Sequence, residues 1–189
     1  MIRKSLSAAP LLLLCIAPLA LHAQVSLTTI GTAYTQNFDT LANTGSSSTL
    51  PTGWLLNETG TSANVDGKYA AGTGSSNAGD TYSFGAAAST DRAFGTLLSG
   101  TITSTIGACF VNNTGATIVS LAIAYNGEQW RLGQSGRGSD HLDFSYNIGG
   151  SDLTTGNRRI HQTASTTTTA TLAGKTVAND IISFYCMGY

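Results

Sequence analysis

The sequence predicts an all-β protein, an antiparallel β-sandwich of jelly-roll-like type. Apolar and polar residues alternate over several short segments, and this period of two is typical of half-buried strands. Gly-, Ser-, Thr- and Asn-rich stretches separate these segments, as expected for turns. No segment of helical length carries the 3.6-residue period of an amphipathic helix. Many short strands joined by such loops favour a sandwich or a jelly roll.

Residues 1–23 are predicted to be a signal peptide. Arg3 and Lys4 form a basic start, and residues 11–21 form an apolar core that is too short to span a bilayer. Ala23 is a suitable small residue before the cleavage point. Lipidation at Cys15 would require a small residue where the bulky Leu14 stands. The chain is therefore expected to be secreted, to the extracellular space or the periplasm.

The mature chain, residues 24–189, has the size of one domain. Without Arg3 and Lys4 it carries seven basic and ten acidic residues, a net charge of −3. Nucleic-acid binding requires a basic surface, so this composition argues against it. No further apolar stretch is long enough for a membrane span, so no membrane contact is expected after removal of the signal. The oligomeric state is left open.

The predicted strands follow the alternating segments in chain order. Val119, Leu121, Ile123 and Tyr125 share one face, and Leu142, Phe144 and Tyr146 share another. The "NNTG" of residues 112–115 is predicted to close a tight hairpin. The strands are predicted at residues 34–38, 54–57, 81–84, 92–97, 101–111, 117–125 and 141–147, with long polar loops at 43–53 and 71–80.

The last part of the chain differs in composition from the rest. Residues 157–189 include the low-complexity "TASTTTTAT", and only residues 180–185 have a strand-like pattern. The expected organisation is therefore a signal peptide at 1–23, a β-sandwich module at 24–156 and a divergent tail at 157–189.

Several segments resemble a family of secreted bacterial β-sandwich modules that occur in extracellular multidomain and surface-sorted proteins. They are "YTQNFDTLA", "LPTGW", "AGTGSSNAGDTYSFGA", "DRAFGTLLSG", "IGACFVNNTGATIVSLAIAYNGEQWRLG" and "DHLDFSYN", from residue 34 to about residue 156. The pair "YNGEQWR" and "DHLDFSY" is the most specific. The resemblance implies a jelly-roll-like module without enzymatic activity.

The resemblance stops at Asn157. Members of such a family close with a Trp-rich strand and an acidic strand of the "DD" kind, and this chain contains neither. The resemblance therefore implies a truncated or frame-shifted copy that is incomplete at its C-terminal end. A missing strand would leave an open sheet edge, which favours aggregation.

Charged residues concentrate between Tyr125 and Asn147. If the bend at "NG" (126–127) reverses the strand's alternation, Trp130 enters the core and Glu128 points inward. An inward carboxylate needs a partner, which Arg92, Arg131 or a backbone amide could supply, and we predict a structural pair of Glu128 with Arg92. The charged residues of this stretch are Glu128, Arg131, Arg137, Asp140 and Asp143, five of nineteen in the whole chain.

Other interpretations of this stretch remain open. Gln129, Trp130 and Arg131 are candidate contacts for an extracellular glycan, because an aromatic ring can stack on a sugar. A polysaccharide hydrolase would need two carboxylates across a cleft, and Glu128 with Asp140 or Asp143 is the nearest choice. No nucleophile elbow is present, and His141 and His161 are too few for zinc.

Calcium is the one cofactor that the sequence suggests. Asp39 and Asp80 are candidate ligands at loop edges, although each could equally cap a turn. Cys109 and Cys186 could form one disulfide in an oxidising compartment.

The predicted function is therefore a secreted, non-catalytic module with a binding, adhesion or accessory role in a larger extracellular system. The alternatives are a polysaccharide hydrolase and a purely structural module without a ligand.

Overall fold

The computed structural model describes residues 23–131, 141–149, 152–154, 158–163, 168–171 and 181–188, and in these ranges it is all-β, with no helix. The predicted signal peptide up to residue 22, Arg137 and Asp140 lie outside the described residues. The strands are β1 (Val25–Leu27), β2 (Ser46–Ser47), β3 (Trp54–Gly60), β4 (Tyr69–Gly72), β5 (Asp80–Phe84), β6 (Ala93–Leu97), β7 (Ile102–Asn112), β8 (Ala122–Tyr125), β9 (His141–Ile148), β10 (Arg158–Thr163), β11 (Thr168–Thr171) and β12 (Ile181–Gly188).

The largest sheet has six strands, in the order β1-β7-β12-β9-β10, with β3 also paired to β7. The long β7 makes this arrangement possible, because its first part pairs with β3 and its last residues pair with β1. Strand β12 pairs antiparallel with β7 on one side and with β9 on the other. β7 is therefore paired along both of its edges.

Two smaller sheets complete the described structure: β2-β4-β5-β6 and β11-β8. Two strand pairs, β1 with β7 and β4 with β5, are parallel. The two larger sheets are therefore mixed rather than purely antiparallel as the sequence predicted.

Both hydrophobic clusters lie on the same face of the six-stranded sheet. Register places Trp54 opposite Ala108 and Leu56 opposite Ile106, so these residues share one face. Tyr69 and Phe94 of the four-stranded sheet pack against this part of the face. Further along the face, Phe144 and Tyr146 of β9 form a second cluster, and they pack with Ile118, Leu121, Ile123 and Tyr125 from the β8 region. Each smaller sheet thus covers a different part of one large face.

The segment predicted as a strand at residues 34–38 is irregular. Phe38 has a φ of +65°, which no extended strand allows. This conformation packs the Phe38 ring edge-on against Trp54, with 4.5 Å between the ring centroids. Packing in the core therefore overrides the alternating pattern of this segment.

The "NNTG" segment turns, but it closes no hairpin. Asn112 Oδ1 accepts hydrogen bonds from the Thr114 backbone N–H at 3.1 Å and from its hydroxyl at 2.7 Å. The following strand is only Ala122–Tyr125, and it pairs with β11. It cannot pair with β7, because β1, β3 and β12 already occupy both edges of that strand.

Residues 158–163, 168–171 and 181–188 of the divergent tail form β10, β11 and β12. The domain boundary at residue 157 stays a prediction, but strand pairing crosses it. In particular, β12 lies between β7 and β9, so the sheet is not open at this position as the resemblance implied.

Candidate functional site

Residues 128–131 follow β8 and lie against the four-stranded sheet. Tyr82 and Phe84 are two positions apart on β5, so they share a face, and their rings stack with centroids 5.0 Å apart. The ring of Trp130 extends this stack, with its centroid 6.3 Å from that of Phe84 and only 7° between the ring planes. The result is a row of three aromatic side chains, here called the aromatic row.

Strand β4 leaves room for the aromatic row because it ends in glycine. A Cβ at Gly72 would lie 2.8 Å from a ring carbon of Tyr82. Tyr82 and Phe84 are consequently buried, whereas Trp130 at the end of the row is half-buried. Trp130 is therefore the member of the row that solvent reaches.

Glu128 fixes the orientation of Trp130. The indole Nε1–H donates to Glu128 Oε2 at 2.9 Å, and the carboxylate is exposed. The prediction that Glu128 points into the core is therefore not met. The predicted reversal of the strand's alternation at residues 126–127 does not occur, because the strand ends at Tyr125 and the following residues are irregular.

Arg92 does not supply the predicted partner for Glu128. It is buried, and its Nε donates to Ser83 Oγ at 2.9 Å. Its terminal nitrogens donate to the carbonyls of Ala86, Gly72 and Ser83. The predicted Glu128–Arg92 pair is thus replaced by separate partners for each residue, and Arg92 ties β4, β5 and the following turn together.

Arg131 is half-buried, and its guanidinium is directed into the loop between β4 and β5. Nη1 donates to the Ser76 carbonyl at 2.8 Å, with the Ser75 and Gly74 carbonyls at 3.3 and 3.4 Å. Nη2 donates to Asn77 Oδ1. The terminal nitrogens of Arg131 therefore donate to protein atoms, and ligand contact by Gln129, Trp130 and Arg131 stays a prediction.

The two calcium candidates lie in different settings. Asp39 is exposed and accepts a hydrogen bond from Asn37 Nδ2 at 2.7 Å, which is a local turn contact. Asp80 is half-buried at the start of β5, and its Oδ1 accepts from the Thr81 backbone N–H at 2.8 Å. Within the described residues, no group of three or more His, Cys, Asp or Glu is arranged to hold a metal ion. Both contacts suit the turn-capping alternative.

A carboxylate network that sequence reasoning missed surrounds Asp80. Burial raises the pKa of Asp80 to about 6, and the nearby charges of Glu58 and Asp66 add to this effect. Glu58 Oε1 accepts from Thr81 Oγ1 at 2.6 Å, and its Oε2 accepts from the backbone N–H groups of Asp66 and Gly67 at 3.2 and 3.1 Å. Glu58 thus joins β3 to β5. No motif in the sequence brings these residues together.

Among the residues missed at the sequence level, Tyr82 and Phe84 had a usable signal. They alternate with Thr81 and Ser83 in "DTYSF", which marks them as one face of a strand. Nothing local connects them to Trp130, which lies more than forty positions later in the chain. The side chains of His141 and Asp143, and all of Asp140, lie outside what the structure describes, so the hydrolase alternative stays a prediction.

Comparison of the chain with family models, with curated proteins and with solved structures finds no match. In the described part of the chain, no helix has the length and apolar character needed to cross a membrane.

Proposed function

We propose that this chain is a secreted, non-catalytic module of β-sandwich, jelly-roll-like architecture that binds an extracellular glycan at the end of the aromatic row. The observation that carries the proposal is the fixed indole of Trp130. Its ring is parallel to Phe84 and its Nε1–H is bonded to Glu128. A ring held in place loses little conformational freedom when a ligand stacks on it.

The groups around Trp130 suit a sugar. Pyranose rings present an apolar C–H face that stacks on aromatic side chains, and hydroxyl groups that need donors and acceptors around it. Glu128 and Gln129, which precede Trp130 in the chain, are both exposed, and the Glu128 carboxylate accepts a hydrogen bond from the indole. Because Phe84 covers one face of the Trp130 ring, the proposed stacking uses the other face.

Binding rather than hydrolysis is also favoured by the setting of Glu128. A glycosidase acid is usually kept protonated by an apolar environment. The Glu128 carboxylate is instead exposed and accepts a hydrogen bond from Trp130.

The test is titration of the purified protein with a panel of neutral and acidic polysaccharides, followed by calorimetry and tryptophan fluorescence. We expect one class to bind, and Trp130→Ala to weaken that binding by at least about tenfold through loss of stacking. Val119→Ala is the matched control, because Val119 is a large exposed apolar residue outside the aromatic row. Absence of binding across the panel, or unchanged affinity in Trp130→Ala, would overturn the proposal.

A further inference from the structure

We propose that the loop of residues 73–77 contacts the glycan beside Trp130. This loop is here called the second wall of the glycan-binding face, and Arg131 is the residue that positions it. The inference rests on the proposed function and extends it to a segment that precedes Arg131 by more than fifty positions in the chain.

The loop and Trp130 touch through their backbones. A Cβ at Gly74 would lie 2.0 Å from the Trp130 carbonyl oxygen and 3.3 Å from Trp130 Cβ. Gly74 also has a φ of +82°, a conformation that favours glycine. Any side chain at this position would push the loop away from Trp130, so the contact depends on glycine.

The shape of the loop depends on a cation. Three successive carbonyls, of Gly74, Ser75 and Ser76, lie within 3.4 Å of Arg131 Nη1, and the shortest contact is 2.8 Å. Carbonyl dipoles that point at one position repel each other unless a positive group lies there. Arg131 supplies that charge, and its second terminal nitrogen fixes the amide of Asn77.

This arrangement leaves every second side chain of the loop exposed. Thr73, Ser75 and Asn77 are exposed, and Thr73 Oγ1 lies 3.1 Å from Ser75 Oγ. Ser76 instead turns inward, with its Oγ 3.0 Å from the hydroxyl of Tyr82 in the aromatic row. The loop that contacts Trp130 at Gly74 thus exposes two hydroxyls and an amide, and such groups match the hydroxyls of a sugar that stacks on Trp130.

The experiment combines binding and hydrogen exchange on the purified protein. With the polysaccharide that the wild type binds, Ser75→Ala and Asn77→Ala are expected to weaken affinity by about fivefold each, as for one lost hydrogen bond. Arg131→Ala should weaken it at least as much and should speed amide exchange at residues 74–77. Millimolar methylguanidinium should restore both properties in Arg131→Ala, because it can occupy the carbonyl site.

The matched control is Lys68→Ala, which removes an exposed cation paired with its near neighbour Asp66, at 3.6 Å. It should change neither readout. If the wild type binds and all three loop-directed variants bind equally well, the second wall is overturned while the proposed function stands. If the wild type binds no polysaccharide, the proposed function and the wall are both overturned. Slow exchange at residues 74–77 in Arg131→Ala would overturn the positioning role by itself.

Discussion

The region around Arg92 in the four-stranded sheet and the middle of the six-stranded sheet differ in how fully their buried polar side chains are hydrogen-bonded. In the four-stranded sheet, the buried Thr81, Ser83 and Arg92 all have hydrogen-bond partners. In the middle of the six-stranded sheet, Ser104 and Ser145 are equally buried, but their hydroxyl oxygens have no partner in the described structure, and the same holds for Thr96 Oγ1 in the four-stranded sheet. A partnered buried group contributes to stability, and an unpartnered one costs free energy, so substitutions in the two regions should change stability with opposite signs.

Strand pairing explains the difference. β9 is paired on both edges at Ser145, and β7 is paired with β3 at Ser104, so the backbone groups there are used in the sheet. The partners of Arg92 come instead from the end of β4 and from the turn after β5, where carbonyls extend beyond the strands. Long polar side chains are therefore accommodated at the ends of strands, and only small ones fit in the middle of the large sheet.

The largest effect on the free energy of unfolding is expected at Arg92, a buried residue with hydrogen-bond partners. Arg92 is only 4% exposed, and its replacement by alanine removes hydrogen bonds to three segments and leaves a cavity. We expect Arg92→Ala to lower the free energy of unfolding by about 3 kcal/mol. Urea denaturation measures this value. Lys68→Ala, at an exposed ion pair, should change it by less than about 0.5 kcal/mol, and equal effects of the two variants would remove the distinction between the sheets.

A pH-dependent effect is expected at Asp80. Burial raises its pKa from the usual 3.8 to about 6, so between these values the folded protein holds the proton more tightly than the unfolded chain. Stability from this group therefore falls as pH rises from about 4 to about 6. Asp80→Asn replaces the carboxyl group by an amide that is uncharged at every pH, and it keeps the Oδ1 acceptor for Thr81. Its melting temperature should exceed that of the wild type at pH 7.5, and the difference should vanish near pH 4.

A difference in melting temperature that is the same at both pH values would contradict this assignment. Asp39→Asn is the control, because Asp39 is exposed and its hydrogen bonds are to its near neighbour Asn37. Its effect on the melting temperature at pH 7.5 should be smaller than that of Asp80→Asn.

Removal of the buried Ser104 and Ser145 hydroxyls should change the free energy of unfolding in the opposite direction. Ser104→Ala and Ser145→Ala each remove a buried hydroxyl that has no partner among the described residues. We expect the free energy of unfolding to stay unchanged or to rise by up to about 1 kcal/mol in each variant. A loss of more than about 1 kcal/mol, measured by urea denaturation, would show that these hydroxyls do have partners.

The smallest effect is expected from the cysteines. Cys109 is buried with a free thiol, and its pKa is raised by burial and by the charge of Asp152. Register places Cys109 opposite Ser183 and Cys186 opposite Ile106, so the two cysteines are three positions apart along the strands. That offset is about 10 Å, beyond the roughly 7 Å limit between Cα atoms in a disulfide.

Reducing agent should therefore leave the melting temperature unchanged. Thiol alkylation after denaturation should label both Cys109 and Cys186, whereas one disulfide between them would protect both.

The strands with strong alternation were predictable from the sequence. Residues 54–57, 81–84, 101–111 and 141–147 lie in β3, β5, β7 and β9, with small differences at the ends. The short β1, β2 and β4 were missed, because two to four residues give no measurable period. Strand β11 was missed because its threonine-rich sequence lacks apolar alternation, and β10 was missed because Ile160 is its only large apolar residue.

The candidate site was predictable only in part. Trp130 and Glu128 stood out as an aromatic and a charged residue in a polar chain, but the partner of Glu128 was assigned to Arg92. The actual partner is two positions away, which strand periodicity cannot reveal in an irregular segment. The contacts of Arg131 with residues 74–77 depend on tertiary packing, for which a single sequence carries no signal.

The position of β12 also has a consequence for the order of folding. The strand that joins β7 to β9 begins at Ile181, almost seventy residues after the end of β7. Pairing over such a separation is slow, because a long loop must close before any contact forms. During synthesis, the edges of β7 and β9 that pair with β12 therefore stay unpaired until residues 181–188 have been made. An export route that keeps the chain unfolded until synthesis is complete would protect those edges from pairing with other chains.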